Sequence, residues 1–464
     1  MITAQLIWPP YPYHAGFCIT DDPDAATFEQ TKAVYDFLKS RSFVTTKSVW
    51  PFAPTVPSGI PPTPDSTLRG VTLQDDRFLS YCQELGREGY ELCLHGASAG
   101  NNTRQKTLEA FDFLSRHSLG SDTYICHSKN AENIYWGNKV TSLFMLRTLV
   151  GMYNRHTFCG ELPESSYFWG DLCTSHINQI RLFRTRNTNT LKCNPSMPYH
   201  DKNKPYVNGW FTATKRPLAA CASPEALGRL KREHGLTILY QYLFRYADPS
   251  TLRLNEAFVR SIETISSDPE ILVATLSAMM KRLRLIQGTF VTFGVNAFWL
   301  INTNDERVND LQIALDRHVA IEQDSNTKVA NRMIHVKNLP PRSLLEVRES
   351  EKISFRHKGA VPLPGDRHVT WNLPSGKLRA NLADAEWHTP NGAILPPASF
   401  TLESRRTRNG VPLLSELSAW EEAMLVCGQV LIIAREAVLK GRSLRTDKYL
   451  DSSRPIRLED HDNW

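Results

Sequence analysis

Through the first 285 or so residues, short apolar runs that read as buried strands alternate with amphipathic stretches that read as helices, and few folds accept such a series. The runs are Gly16–Thr20, Phe43–Trp50, Tyr90–His95, Thr123–His127, Tyr167–Gly170, Ile180–Arg184, Leu236–Tyr240 and Glu270–Ala274. Helical patterns stand between them, at Asp75–Gly86, Thr103–His117, Asn138–Val150 and, last, Leu276–Leu285. A first helix starts at Thr27, whose hydroxyl can cap while Gln30 closes a capping box, and Phe28, Val34, Tyr35 and Leu38 give it one apolar face. Strand–helix alternation calls for a parallel sheet with crossover helices, and at this length for a closed (β/α) barrel.

Beyond Gly288 the pattern changes. Short β-like segments at Phe298–Ile301, Asp310–Leu315, Met333–Val336 and Leu344–Val347 are separated by turn-rich pieces, as in a small antiparallel sandwich. A final helix is expected over Leu413–Lys440 with Gly441 as its stop, and Leu417, Trp420, Met424, Leu431 and Val438 as its core-facing stripe. At 464 residues the chain exceeds one core. The expected division is a barrel over 1–287, a β-rich accessory domain over 288–385, and a linker, amphipathic helix and loose tail over 386–464. The loop Pro51–Gly70, rich in Pro, Ser and Thr, is too long for a tight connection and is expected to overhang a site.

Residues of metal-ligand type end three of these strands: Asp21-Asp22 after the first, His95 after the third and His127 after the fourth. In a parallel barrel all strand C-termini share one face, so these side chains converge there. One carboxylate and two imidazoles can hold a hydrolytic Zn²⁺-class ion with one position open, and a second carboxylate beside it can act as base. Each piece has a plainer use as well. Asp-Asp-Pro is a turn and helix-entry signal, and a lone histidine below a loop is often only hydrogen-bonded.

At these residues the chain resembles the polysaccharide deacetylase (NodB-homology) family, whose first motif is an apolar strand ending T-F-D-D. Here it stands as Ile19-Thr20-Asp21-Asp22. The resemblance implies a general base at Asp21 and a metal ligand at Asp22. The family's second motif follows a G-[HY]-E-[IL] strand and reads H-[ST]-x-x-H; here Gly89-Tyr-Glu-Leu-Cys-Leu-His95 is followed by Ala99 at the second histidine position. His127 is the expected replacement ligand, and Asn130–Trp136 resembles a divergent deacetylase-like branch. The family's L-x-H histidine is replaced by Ile238-Leu-Tyr-Gln-Tyr242, which offers Tyr240 or Tyr242, and the arginine of its third motif is not identifiable. Asn130, Trp136, Trp169, His200 and Tyr240 are the candidate substrate contacts, with Trp210 as a further ring for sugar stacking; large aromatics serve equally as core or loop anchors. The fold class is thus α/β, a distorted (β/α) barrel of the deacetylase type followed by a small β-sandwich-like domain and a C-terminal helix.

A net charge of +6 is spread along the chain without a basic block, which argues against nucleic-acid binding. Nine cysteines without a C-x-x-C pair, several inside apolar runs, read as reduced thiols of a cytoplasmic protein. The N-terminal MITAQLIWPPYPYHAG lacks the basic start and apolar region of a secretory signal, and the apolar stretch Ala423–Ala434 is too short to span a bilayer. The function expected from the resemblance is a hydrolase that depends on a divalent metal, Zn²⁺ above all, and removes an acyl (N-acetyl) group from a saccharide or glycoconjugate. The alternatives are a catalytically silent barrel used for carbohydrate binding or assembly, and a metal-dependent glycoside hydrolase or lyase.

Overall fold

The computed structural model describes residues 4–61, 70–153, 157–293, 297–315, 318, 325–348, 368–373, 376–381, 400–403, 407–408, 411–412 and 419–443. Its strands begin with β1 (Ala4–Ile7), β2 (Ala15–Asp21), β3 (Thr46–Val49), β4 (Glu91–Leu94) and β5 (Thr123–Tyr124). They continue with β6 (Gln179–Thr185), β7 (Trp210–Thr214), β8 (Leu236–Gln241) and β9 (Ile271–Val273). Residues 15–280 and 416–464 group into one compact unit, and residues 1–14 with 281–415 into another.

The first unit is the barrel. Strands β3-β4-β5-β6-β7-β8-β2 are hydrogen-bonded in that order, all parallel, and β2 pairs back onto β3 through Thr20–Thr46 and Asp21–Lys47, which closes seven strands into a ring. Lower on β2, Ala15–Phe17 pair with β9 instead, so the ring is split at that end and the barrel distorted. The wedge is sealed by polar groups. Leu276 N–H donates to Thr46 Oγ1 at 2.8 Å and Ser277 N–H to Glu91 Oε2 at 3.0 Å, meeting the open amides of a helix start. All seven residues of β2 are buried, as expected of a parallel strand covered on both faces.

Helix Phe28–Ser40 is capped as read from the sequence, with Thr27 Oγ1 accepting from Gln30 N–H and donating to Gln30 Oε1, while Gln30 Nε2 donates to the Phe244 and Ala247 carbonyls. Two strand readings change. Tyr167–Gly170 is a loop running into the helix Gly170–His176, because Trp169 is a fully buried anchor whose Nε1 donates to Glu132 O. Trp210–Thr214, which follows a Pro/Asn-rich loop and carries only five residues of pattern, is the strand in its place.

The C-terminal helix Ala419–Ser443 belongs to this unit. Glu422 accepts from Thr141 Oγ1 and Ser142 N–H, and Gln429 Oε1 from Arg184 N–H. Its buried face is Glu422, Leu425, Val426, Gln429 and Ile432, whereas Trp420, Met424 and Leu431 are exposed. The stripe expected to face the core is therefore the outward one among described residues; a polar-anchored face rather than the most apolar one meets the barrel. Leu417 and Val438 lie outside the residues whose side chains are described.

The second unit contains a two-sheet antiparallel sandwich, whose further strands are β10 (Thr289–Phe293), β11 (Ala297–Asn302), β12 (Val308–Leu315), β13 (Thr327–Ala330), β14 (Met333–Leu339) and β15 (Ser343–Arg348). One sheet runs β1-β12-β14-β13 and the other β10-β11-β15. Leu300 and Leu345 of the second sheet share a core with Val308, Leu311, Ile313, Ile334 and Val336 of the first. The expected barrel span 1–287 thus differs at its start: β1 pairs with β12 across about three hundred residues, Ala4 opposite Leu315. Arg282 reinforces that edge by donating to the Trp8, Asn309 and Asp310 carbonyls.

Candidate functional site

The C-terminal ends of β2, β4 and β5 bring Asp21, Asp22, Asp24, His95 and His127 together, all buried. The carboxylates divide sharply. Asp21 turns into a closed cluster in which Oδ2 accepts from Lys47 Nζ at 2.8 Å and Tyr35 Oη at 3.0 Å, while Oδ1 accepts from Leu243 N–H at 2.8 Å. Lys47 is itself only 1% exposed. With both oxygens engaged, Asp21 does not face the histidines, so the position that the family motif gives to a general base is occupied here by a structural ion pair.

Asp22 faces the other way. Its two oxygens meet the Arg181 guanidinium at 3.3 and 3.1 Å, a bidentate pair, and Oδ2 stands 3.8 Å from His95 Nε2. Arg181, inside strand β6, lies over the Tyr240 ring at 4.3 Å and also donates to Cys126 O. Sequence reading missed it, although a charged residue in an otherwise apolar buried strand is a signal in itself.

Asp24, also missed, completes the site. Its Oδ1 is 3.4 Å from His95 Nε2 and 3.8 Å from His127 Nε2. Yet Asp24 Oδ1 and both ring nitrogens of His95 are buried without a hydrogen-bond partner among the described residues. Buried polar atoms are satisfied as a rule, and a cluster of exceptions at one point calls for a reason. His127 is better supported: Nδ1 is 2.8 Å from Asn130 Oδ1, and its carbonyl accepts from Asn133 Nδ2. Trp50 packs on both imidazoles and its Nε1 donates to His95 O at 3.0 Å, fixing the loop that carries His95.

The electrostatics lead to the same point. Burial alone would raise the Asp24 carboxyl, but the pull of His127 and His95 and the Tyr242 hydroxyl holds it down to about 2. Burial pushes His127 below the usual imidazole range, toward its neutral form. Tyr240 donates a short hydrogen bond to the Tyr242 hydroxyl, and burial together with the neighbouring carboxylates lifts Tyr242 well above the ordinary phenol range.

A carboxylate and two imidazoles are a donor set for Zn²⁺, and ligands about 2.1 Å from a tetrahedral ion stand roughly 3.4 Å apart. The His95–Asp24 pair meets that spacing, whereas the two 3.8 Å pairs are wider. Among the described residues no group of three His, Cys, Asp or Glu side chains is arranged to hold a metal ion. Donor chemistry and the orphaned atoms are the features here that suit an ion, while the 3.8 Å pairs are too wide to close on one as they stand.

The remaining expected contacts are placed as follows. Asn130 is buried and spends its amide on His127, Ser98 and Glu132. Tyr240 borders the Asp22–Arg181 pair. Trp169 and Trp210 are fully buried in the core, Trp169 against Tyr124, so neither offers a face to a sugar ring. Trp136 is half-buried against the same core. His200 is buried with Nδ1 3.2 Å from Val207 O. Of the loop Pro51–Gly70, residues 62–69 lie outside the described residues; the part before them is tied down over the His95 loop. Phe52 N–H donates to Ala97 O, and Asn101 exchanges hydrogen bonds with both N–H and C=O of Gly59 while accepting from Ala131 N–H.

No protein-family model and no curated protein sequence matches the chain. Among solved structures it is similar to Agd3, a carbohydrate deacetylase, at 10% identity and a TM-score of 0.39, covering 74% of this chain and 66% of that one. A Mycobacterium smegmatis protein assigned as a polysaccharide deacetylase matches at 10% identity and a TM-score of 0.34 over 62% of this chain and 96% of its own. Puue allantoinase matches at 9% identity and a TM-score of 0.35 over 60% and 93%. The chain thus spans just under two thirds of Agd3.

Proposed function

We propose that the group Asp22, Asp24, His95 and His127 is a hydrolytic centre, and that it removes an acyl group, N-acetyl above all, from a saccharide or glycoconjugate. A divalent ion of the Zn²⁺ class would be held by Asp24, His95 and His127. One observation carries the reading: three donor side chains from three separate strand ends aim at one buried point, and Asp24 Oδ1 and His95 Nε2 find no other partner among the described residues. The chemistry supplied by such an ion is polarisation of an acyl carbonyl and acidification of water.

The chain's own residues would divide the rest. Asp22, oriented by the Arg181 fork, is the base that takes a proton from the attacking water. Arg181 positions it against the His95 edge of the site. Tyr242, which holds its proton firmly, donates a hydrogen bond where negative charge develops on the acyl oxygen or leaving group. Ion ligation thereby moves from Asp22 to Asp24, and the base from Asp21 to Asp22. The carbohydrate deacetylases among the similar structures agree with this reading without carrying it.

A second reading, a silent carbohydrate-binding barrel, is favoured by one feature: both oxygens of Asp22 are engaged by Arg181, which would blunt a base. The test pairs elemental analysis of the purified full chain with acetate release from a panel of N-acetylglucosamine oligomers. About one bound ion per chain, lost in His95→Ala, together with acetate release lost in Asp22→Asn, supports the hydrolase. Metal binding with no release from any oligomer supports the silent module, and no metal at all overturns the centre.

A further inference from the structure

We infer that Glu132 is a positioning residue for this centre: acting through Asn130, it dictates which nitrogen of His127 carries the proton and so leaves Nε2 bare toward Asp24. The inference rests on the reading of Asp24, His95 and His127 as the working group.

Glu132 is fully buried, and among the described residues no Lys, Arg or His forms an ion pair with it. A carboxylate in that position is expensive, and a hydrophobic residue or an amide would pack there at lower cost. What it obtains is three donated hydrogen bonds. Oε2 accepts from Asn102 N–H at 3.0 Å, and Oε1 accepts from Asn102 Nδ2 at 2.6 Å and Asn130 Nδ2 at 2.8 Å. All three partners are donors, so an ionised carboxylate satisfies them where a glutamine, with one oxygen, cannot.

The consequence passes to Asn130. Its other amide contact is the Ser98 carbonyl at 3.1 Å, again an acceptor only. With acceptors on both of its amide contacts, the NH₂ end of Asn130 must face Glu132 and Ser98, and Oδ1 must face His127 Nδ1 at 2.8 Å. An amide oxygen accepts and never donates, so the proton sits on Nδ1, and Nε2 presents its lone pair 3.8 Å from Asp24 Oδ1. The loop after His95 is shaped to admit this relay. Gly96 takes φ +90°, and a Cβ there would stand 3.3 Å from Asn130 Nδ2 and 3.4 Å from Ser98 O. Outer partners that orient a ligating imidazole in this way are typically worth about 10–100-fold in metal affinity.

The test is the imidazole nitrogen NMR of histidine-labelled full-length protein without metal, at about pH 8 so that Glu132 is ionised, with His127 assigned by its loss in His127→Gln. The wild type is expected to show His127 as the Nδ1–H form, and Glu132→Gln to move it substantially toward Nε2–H. In parallel, Zn²⁺ titration should give an affinity about 10–100-fold weaker for Glu132→Gln than for wild type. Should that variant not fold, Asn130→Ala reads the relay one link nearer the ring and should release the tautomer equally. A wild-type Nε2–H ring, or an Nδ1–H ring unmoved in these variants, overturns the inference. A tautomer that responds in a protein with no Zn²⁺ affinity at all supports the relay and sinks the metal reading separately.

Discussion

Two buried polar clusters begin three residues apart and are built on opposite principles. The Asp21–Lys47–Tyr35 cluster is saturated: each carboxylate oxygen has a short partner, and it joins β2 to β3 where the ring closes. The Asp24–His95–His127 cluster is open, with an oxygen and two ring nitrogens lacking partners among the described residues at similar depth. Burial therefore does not separate structure from function in this barrel; satisfaction does. A group whose hydrogen bonds are complete stabilises the fold, whereas a group left incomplete at one focal point is held ready for something that arrives later.

The same Asp→Asn exchange should sharpen that contrast. Asp21→Asn leaves the Lys47 ammonium buried beside a neutral amide and should cost roughly 3–5 kcal/mol, the range for breaking a buried ion pair. Denaturant unfolding of the full chain measures it, and a loss below about 1 kcal/mol would erase the distinction between the clusters.

An effect of intermediate size concerns Glu132. Burial raises its carboxyl from 4.5 to about 7. A group whose folded value lies above its unfolded value favours the folded state below the unfolded value, and that favour is lost as pH rises through the folded one. The protein should therefore lose up to about 3 kcal/mol, at 1.36 kcal/mol per unit, between about pH 4.5 and 7. Glu132→Gln should flatten that part of the stability–pH curve, and an unchanged slope would show that Glu132 titrates normally.

The smallest stability effect is expected at Asp24. With its carboxyl held down from 3.8 to about 2, ionised Asp24 contributes up to about 2 kcal/mol at neutral pH, so Asp24→Asn should cost no more than about 2 kcal/mol while removing metal and acetate release together. A destabilisation as large as that of Asp21→Asn would make Asp24 a structural residue after all.

Much of this was legible in the chain. Strand–helix alternation, the turn-rich β pattern beyond Gly288 and the strand ends at His95 and His127 all follow from local periodicity. The pairing of β1 with β12 carries no local signal, since nothing near Ala4 announces a partner at Leu315. The reassignment proposed among the three aspartates has a geometric reason. Neighbouring residues leave a strand on opposite sides, so Asp21 and Asp22 cannot both face the site, and the residue sharing Asp22's side is Asp24. Lys47 and Arg181, cations inside apolar strands, were the sequence marks of the two clusters and could have been paired with them. Trp169 and Trp210 show the opposite error: ring size suggested a sugar platform, while complete burial makes them core.

The central claim is that the open cluster is a cation site. X-ray diffraction from crystals of the full chain grown with Zn²⁺, recorded on both sides of the zinc absorption edge, tests it most directly. The account predicts one anomalous peak within about 2.2 Å of Asp24 Oδ1, His95 Nε2 and His127 Nε2, the usual ligand distance, with Asp21 still on Lys47. A Zn²⁺-grown crystal with no peak there, and His95 hydrogen-bonded to Asp24 through its own proton, would contradict it.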